Sequence, residues 1–481
     1  MCTPPTLCHR AKVSPGHGHR WWMSQGSRAR ARGARRRCDR GYGGLAANGG
    51  IGEGLEWLIG ALWSAPEIRV GLGDVPPAGF RVVETYAVLP DPRRAKFLIP
   101  LDDRRSAAAS VASYNALRPP RVRLARAAVG AWIRIGAAAP FLRSRLKVCA
   151  PHDASADDLS GWLISEHLRL VFDEPAVHSA IGIGRPGPFR KPVLQAFRPD
   201  GSVLGYVKTG WNDVTRSLVR TEADMLEACA ERRPASMLVP EPVHHGAWRD
   251  LETVVASPLP LGIRRYRPRR ETPPLEATRD VAALFGRKSA PLAASDYWAR
   301  TVRRLESLGP RVEPEISAAA DAYASHIADR HAGLVVEFGA WHGDWAPWNM
   351  ARLDGGLVVW DWEHGGRDVP FGFDPLHFQF QLAFIADQLP LHDALARTSE
   401  LATPSLEALG LSPDQISASV RVHLLEVFLR YQEAMLAGAG HNPRFFPDVV
   451  SILLRTRGAV GQPVDVDDAV VLAAIDLAGV D

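Results

Sequence analysis

The sequence lacks long hydrophobic runs and lacks the cysteine patterns of disulfide scaffolds and zinc sites. Its five cysteines form neither a CxxC pair nor a zinc-binding spacing. A membrane-spanning helix needs about 18 or more apolar residues, and the nearest candidate, residues 127–142, contains Arg134 and Pro140. We therefore expect no transmembrane segment, free thiols in a reducing compartment, and a cytoplasmic protein.

Acidic residues are scarce at the N-terminus. The first 40 residues carry a formal charge of +9, which leaves −5 for the rest of a chain whose total is +4. This region is rich in Arg, Gly and Ser and shows no apolar periodicity before Leu55, so residues 1–50 are predicted to form a disordered basic tail. Its arginines could bind acidic partners or have no function. The mildly acidic remainder does not favour specific nucleic-acid binding.

Residues 337–374 hold the strongest chemical pattern. Asn349 follows Asp344 by five residues, and Asp361 ends an apolar run. The residues between Asn349 and Asp361 predict a hairpin with its turn at residues 354–356, which brings Asn349 opposite Asp361. Two oxygen ligands suit a hard divalent cation that also carries phosphate oxygens, and Asp344 is near enough to accept a proton from a hydroxyl. The pattern indicates phosphate transfer.

Two short motifs stand in this stretch, HGDWAPWN at residues 342–349 and WDWE at residues 360–363. They resemble the HGDxxPxN and IDWE motifs of the aminoglycoside phosphotransferase and choline kinase-like family, which has the protein kinase fold. The resemblance implies that Asp344 is the catalytic base and that Asn349 and Asp361 are Mg²⁺ ligands. An isolated HGD tripeptide is more often an ordinary turn, but these residues occur together at fixed offsets.

Residues 155–258 are interpreted as the small lobe of such a fold. Gly182, Gly184 and Gly187 match GxGxxG after a predicted strand. Prolines follow at once and forbid the helix of a dinucleotide-binding turn, and two further strands are predicted instead. A strand, a glycine loop and two more strands suit a phosphate lid, in which backbone N–H groups approach the phosphates.

Lys208 lies near the end of the third of these strands, where a kinase-like fold places its phosphate-orienting lysine. Glu222 falls on the apolar face of the helix predicted next, and a buried carboxylate needs a cation. We therefore expect Lys208 to pair with Glu222, with Glu227 or Asp224 as substitutes. The alternative is that Lys208 is an ordinary surface lysine.

The flanking regions are less informative. Residues 51–150 predict a small, separate α/β module of two strands and two helices, and the second helix, residues 122–135, has a basic amphipathic face. That helix could bind a membrane surface or could be a solvated packing helix. Residues 259–481 predict a helical large lobe. There Trp345 and Trp348 could stack on an acceptor or pack in the core.

The prediction is thus an α+β, two-lobed, protein kinase-like fold. Its expected activity is ATP-dependent transfer of the γ-phosphate to a hydroxyl of a small molecule, with Mg²⁺. A nucleotide-binding pseudokinase or regulatory module is the alternative. A metal-dependent hydrolase using His342, Asp344 and Asp361 leaves Lys208, Glu222 and the glycine loop unexplained.

Overall fold

The computed structural model describes residues 51–457, apart from 74, 113–116, 139–141, 272, 441, 443 and 447. The predicted tail, residues 1–50, and the last part of the predicted large lobe, residues 458–481, lie outside the described residues. Within them, the chain forms a sheet-rich small lobe followed by a helical large lobe. The predicted α+β class with two lobes is confirmed.

One antiparallel sheet of nine strands organises the small lobe. Its strands are β1 (Arg69–Leu72), β2 (Phe80–Leu89), β3 (Phe97–Pro100), β4 (Arg145–Pro151), β5 (His178–Gly182), β6 (Val193–Phe197), β7 (Val203–Gly210), β9 (Pro242–Trp248) and β10 (Leu251–Ala256). Their spatial order is β1-β4-β2-β3-β5-β6-β7-β10-β9. The two-residue strand β8 (Met237–Leu238) pairs elsewhere.

Six helices cover the two faces of this sheet. They are α1 (Glu53–Leu62), α2 (Arg104–Ala112), α3 (Pro120–Arg134), α4 (Ala156–Trp162), α5 (Ile164–Val171) and α6 (Asp213–Arg232). Alternation along β2 serves both faces, because Tyr86 and Val88 pack with α1 while Ala87 packs with α2 and α3. Helix α6 lies over β7 and β10, and Asn212 caps its first turn by accepting from the Thr215 N–H.

The predicted separateness of residues 51–150 is not found. Strand β3 pairs with β5 through Phe97↔Gly182 and Leu98↔Ile181, so the first four strands continue the small-lobe sheet. The apolar residues of α1 belong to the same core as those of β6 and β7. The pairing joins residues more than eighty positions apart, and local periodicity carries no signal for such a contact.

The large lobe is built from α7 (Leu275–Ala283), α8 (Asp296–Leu308), α9 (Pro314–His331), α10 (Phe373–Phe380), α11 (Leu391–Ala408), α12 (Pro413–Ala434) and α13 (Asp448–Arg457). Two small sheets accompany them, formed by β11 (Arg264–Arg265), β12 (Lys288–Pro291), β13 (Val335–Trp341), β14 (Met350–Leu353), β15 (Gly356–Val359) and β16 (Gly366–Pro370). Their orders are β11-β14-β15-β8 and β12-β13-β16. No helix in the described part of the chain is long and apolar enough to cross a membrane.

The hairpin predicted in the central stretch is present as β14 and β15. Its register pairs Met350 with Val359, and the Trp360 N–H donates to the Asn349 carbonyl. Asn349 therefore stands opposite Trp360, and Asp361 lies one residue beyond the position expected for it. Both side chains still emerge from the open end of the hairpin.

Candidate active site

The lysine of β7 and the glutamate of α6 meet as an ion pair. The Lys208 Nζ atom lies 2.6 Å from Glu222 Oε2 and 2.8 Å from Glu222 Oε1. Strand alternation produces this geometry, because Val207 points into the core beneath the sheet and Lys208 points toward α6. The sequence-predicted partner is thus the one that the structure brings to Lys208.

Two acids of the large lobe reach the same ammonium. Lys208 Nζ hydrogen-bonds to Asp361 Oδ1 and lies 3.4 Å from Glu363 Oε2. Burial alone would lower the pKa of Lys208, but the carboxylates of Asp361, Glu222 and Glu363 raise it well above its ordinary value. The ammonium therefore stays charged and links the two lobes.

A second lysine joins this cluster from the glycine loop. Lys191 Nζ lies 2.5 Å from Glu363 Oε2, and both side chains are largely buried. Burial would raise the pKa of Glu363, but Lys208 and Lys191 hold it well below its usual range. Burial raises the pKa of Glu222 to about 7 against the opposing effect of Lys208. We call these five residues, Lys191, Lys208, Glu222, Asp361 and Glu363, the interlobe charge cluster.

The three acids of the cluster have the spacing of cation ligands. One oxygen from each of Glu222, Asp361 and Glu363 lies within 4.8 Å of the others. Lys208 contacts all three, so its ammonium supplies positive charge at this point. Asp361 adopts φ +71°, a left-handed conformation that Asp tolerates better than most residues, at the bend after the hairpin.

The loop at residues 342–349, which we call the HGD loop, is fixed by its own hydrogen bonds. Asp374 accepts from the backbone N–H groups of His342 and Gly343 at 2.9 and 3.2 Å. Gly343 has φ +78°, and a Cβ there would lie 1.9 Å from the His364 carbonyl oxygen. Asp374 and Gly343 therefore have structural roles in this loop.

The hydrogen-bond partners of the Asp344 carboxylate are neutral side chains. Its Oδ2 accepts from Asn349 Nδ2 at 2.9 Å, and its Oδ1 lies 3.4 Å from Gln381 Nε2 and 3.5 Å from His377 Nε2. Burial raises the pKa of Asp344, His364 opposes this effect, and the nearby charge of Asp361 adds to it. A carboxylate with a raised pKa and neutral hydrogen-bond partners is suited to accept a proton.

His342 supports the loop from below. Its Nε2 lies 3.1 Å from the Trp360 carbonyl, and its Nδ1 accepts from the Asp344 N–H at 3.2 Å. Burial lowers its pKa to about 4, so the imidazole is neutral near pH 7. The neutral imidazole has one donor and one acceptor, so Nε2 can donate to the Trp360 carbonyl while Nδ1 accepts from the Asp344 N–H.

The glycine loop joins β5 to β6. Gly182 ends β5, and Gly184 and Gly187 follow with φ +78° and +136°. A Cβ on Gly184 would lie 2.9 Å from the Lys191 carbonyl oxygen, so a larger residue there would disturb the loop. This loop also carries Lys191 to the interlobe charge cluster.

The two tryptophans of the HGD loop differ. Trp345 is 1% exposed and packs in the core with Met350, Trp362 and Phe378, so the core alternative holds for this ring. Trp348 is half-buried, and its stacking role stays a prediction. A cavity of about 440 Å³ lies nearby in the large lobe, but Asp344 is not among its lining residues, so we do not assign the acceptor to it.

Three residues beside the site had no role assigned from the sequence. Glu363 belongs to the WDWE motif, but its partner Lys191 is 172 positions away. His377 and Gln381 lie three and seven residues after Asp374 in a helical segment, which places all three on one side of it. Helical spacing from Asp374 was therefore a usable signal for His377 and Gln381.

Comparison with known proteins gives likenesses of structure. No family model and no curated protein matches the chain. A thermostable mutant of aminoglycoside phosphotransferase APH(4)-Ia, solved with ADP and hygromycin B, is 11% identical, with 62% of this chain and 99% of that chain covered and a TM-score of 0.43. A choline/ethanolamine kinase family protein from Mesorhizobium loti is 16% identical, with 59% and 89% covered and a TM-score of 0.37.

A third similar structure is an amicoumacin kinase in complex with AMP-PNP and Ca²⁺. It is 12% identical, with 56% of this chain and 84% of that chain covered and a TM-score of 0.36. The chain itself has two lobes, with its HGDWAPWN and WDWE segments beside the interlobe charge cluster.

Proposed function

We propose that the chain is an ATP-dependent phosphotransferase that transfers the γ-phosphate to a hydroxyl of a small molecule. The observation that supports this most is the meeting of Lys208 and Glu222 with Asp361, next to the HGD loop. Phosphate transfer needs mainly positioning and charge neutralisation. These residues and the HGD loop supply a cation, oxygen atoms that can bind a metal ion, and a candidate base.

The oxygen donors fit a hard divalent cation. Asp361 offers a carboxylate that is one-third exposed. Asn349 donates its amide nitrogen to Asp344, so the amide oxygen is the atom it would offer to a metal. Mg²⁺ bound by these two residues would neutralise charge on the phosphates. Lys208, held by Glu222, would orient the phosphates, with the backbone at Gly182, Gly184 and Gly187 above them.

Asp344 would orient and deprotonate the acceptor hydroxyl. Asn349 and Gln381 hold its two oxygens in place, and neither neutralises its charge. His342 keeps the backbone of the loop in position without competing for the proton, because its imidazole is neutral. The acceptor would approach from the large-lobe side, where Trp348 stays a candidate stacking residue.

The proposal is tested with γ-labelled ATP and a series of hydroxylated acceptors, beginning with hygromycin B and streptomycin, which similar structures hold. A small-molecule extract extends the series. We expect a labelled product that requires Mg²⁺. We also expect MgATP to stabilise the fold by about 2.7 kcal/mol at a hundredfold excess over its dissociation constant, and Lys208→Ala to weaken this. Absence of any thermal shift with MgATP overturns the proposal, whatever acceptor is used.

A further inference from the structure

Helix α3 is attached to the small lobe by one narrow face. Gly130 and Ile133 are its buried residues, and Ile133 packs with Ala87, Ile99 and Ala107. The helix approaches α2 closely, since a Cβ on Gly130 would lie 3.2 Å from the Ala108 carbonyl oxygen. Most of the remaining side chains of the helix are exposed.

The outward face of α3 is apolar. Leu124 is 74% exposed, Val129 45%, Trp132 52% and Ile135 72%. At about 100° per residue Leu124, Trp132 and Ile135 fall within about 80° of one another on the side away from Ile133, with Arg121 among them. Val129 lies at the edge of that side, about 40° from Ile133. These apolar residues are four of the thirteen large apolar residues that are exposed within the described part of the chain. Single exposed apolar residues are ordinary, but several of them on one side of a helix mark an interaction surface.

The sequence segment that contains α3 carries charge of one sign. From residue 104 to residue 152 the sequence has ten Arg or Lys and no Asp or Glu. In and next to the helix, the exposed cations are Arg118, Arg121, Arg123 and Arg134. A chain segment with this balance attracts an anionic partner, and nothing acidic within it offsets the attraction.

We propose that α3 lies in the surface of an anionic lipid bilayer. A bilayer interface offers an apolar layer for Leu124, Val129, Trp132 and Ile135 and anionic headgroups for the flanking arginines. A helix of 15 residues is about 22 Å long, too short to span the hydrocarbon core of roughly 30 Å, so it would lie along the surface. Trp at such a boundary is favoured because its ring is amphipathic. This inference is independent of the proposed enzymatic activity.

The test is sedimentation of the full-length protein with vesicles. One set contains phosphatidylcholine alone, and the other contains phosphatidylcholine mixed with phosphatidylglycerol. We expect binding to the anionic vesicles only, and weaker binding as salt rises. The double variant Leu124→Gln/Ile135→Gln and the double variant Arg121→Gln/Arg134→Gln should each lower binding about tenfold or more. Both pairs of side chains are exposed, so thermal unfolding of the variants should match the parent.

Matched controls separate α3 from other surfaces. Leu401→Gln removes an exposed apolar side chain of α11, and Arg35→Gln/Arg36→Gln/Arg37→Gln removes cations of the N-terminal region. Both control variants should bind within about twofold of the parent. The proposal is overturned if the parent does not bind anionic vesicles, or if the N-terminal variant loses binding and the α3 variants keep it. It is also overturned if the parent ignores vesicles and forms a dimer that Leu124→Gln/Ile135→Gln dissociates.

Discussion

The HGD loop and the interlobe charge cluster lie side by side but are held by different forces. In the loop, Asp374, His342 and Asn349 make hydrogen bonds that stay within the large lobe. In the cluster, Lys208 and Lys191 of the small lobe contact acids of the large lobe. The hydrogen bonds of the loop therefore lie within the large lobe, although Trp345 packs in the same core as residues of α6. The ion pairs of Lys208 and Lys191 with Asp361 and Glu363 form only while the lobes are together.

This difference suits a division of labour in phosphate transfer. The group that takes a proton must be positioned closely, and neutral hydrogen bonds position it while lowering its basicity less than an ion pair would. The groups that hold phosphates and a metal need charge, and charges from two lobes can enclose a ligand that enters between them. The predictions below test whether the loop and the cluster are separate in this way.

The largest expected effect separates Asp344 from Asp361. Asp344→Asn keeps the hydrogen-bonding shape of the side chain but removes the base, so MgATP binding should persist while turnover falls roughly 10²-fold or more. Asp361→Ala removes a carboxylate from the cluster, so both Mg²⁺-dependent nucleotide binding and turnover should fall. Titration calorimetry with MgATP and product formation from labelled ATP measure the two quantities.

The reverse pattern would contradict the division between loop and cluster. If Asp344→Asn loses Mg²⁺-dependent binding and Asp361→Ala keeps it, the roles assigned to these two acids are wrong. Asp368→Ala is the matched control, because Asp368 is an aspartate of the same region that pairs at the surface with Lys288. It should change neither quantity by more than about twofold.

The same contrast explains what the sequence could predict. The loop depends on Asp344 and Asn349, five residues apart, and on a hairpin with a Gly-containing turn, so local spacing was sufficient. The pairing of Lys208 with Glu222 needed only one strand and the next helix. Lys191 and Glu363 are 172 positions apart, and β3 meets β5 across a long insertion, so neither contact leaves a local pattern. Trp345 could not be assigned because an aromatic side chain looks the same in a core and in a pocket.

Lowering the pH should destabilise the folded HGD loop, because His342 is neutral there and would have to take up a proton. Its pKa is about 4 in the folded chain and 6.5 ordinarily, so the unfolded chain takes up the proton first. The stability that the neutral imidazole provides is complete above pH 6.5 and is lost as the pH falls toward 4, by up to about 3 kcal/mol. His342→Gln lacks this titration. In urea unfolding, the difference in free energy of unfolding between parent and variant should therefore narrow as the pH falls from 6.5 to 4. If the two free energies change in parallel with pH, protonation of His342 does not destabilise the loop.

The smallest effect concerns the lysine of the glycine loop. Lys191→Gln removes a charged hydrogen bond of 2.5 Å to Glu363 and leaves Lys208 as the remaining cation near that carboxylate. We expect a loss of about 2 kcal/mol in the free energy of unfolding, because a largely buried charged hydrogen bond is stronger than an exposed one. The matched control is Arg94→Gln, whose exposed ion pair with Asp91 should contribute much less to stability.

The pH dependence of that loss distinguishes the cluster from the loop. The pKa of Glu363 is held far below its usual range, so its ion pair with Lys191 persists from pH 6.5 to 4. Over the same interval the stability that His342 provides to the loop is lost. The cost of Lys191→Gln should therefore be the same at both ends of this interval, while the cost of His342→Gln shrinks. Two results would show that the ion pairs do not hold the lobes together. Lys191→Gln could lower the free energy of unfolding by no more than Arg94→Gln does, or its effect could disappear at pH 4. The uncharged contacts between the two lobes would then have to hold them together.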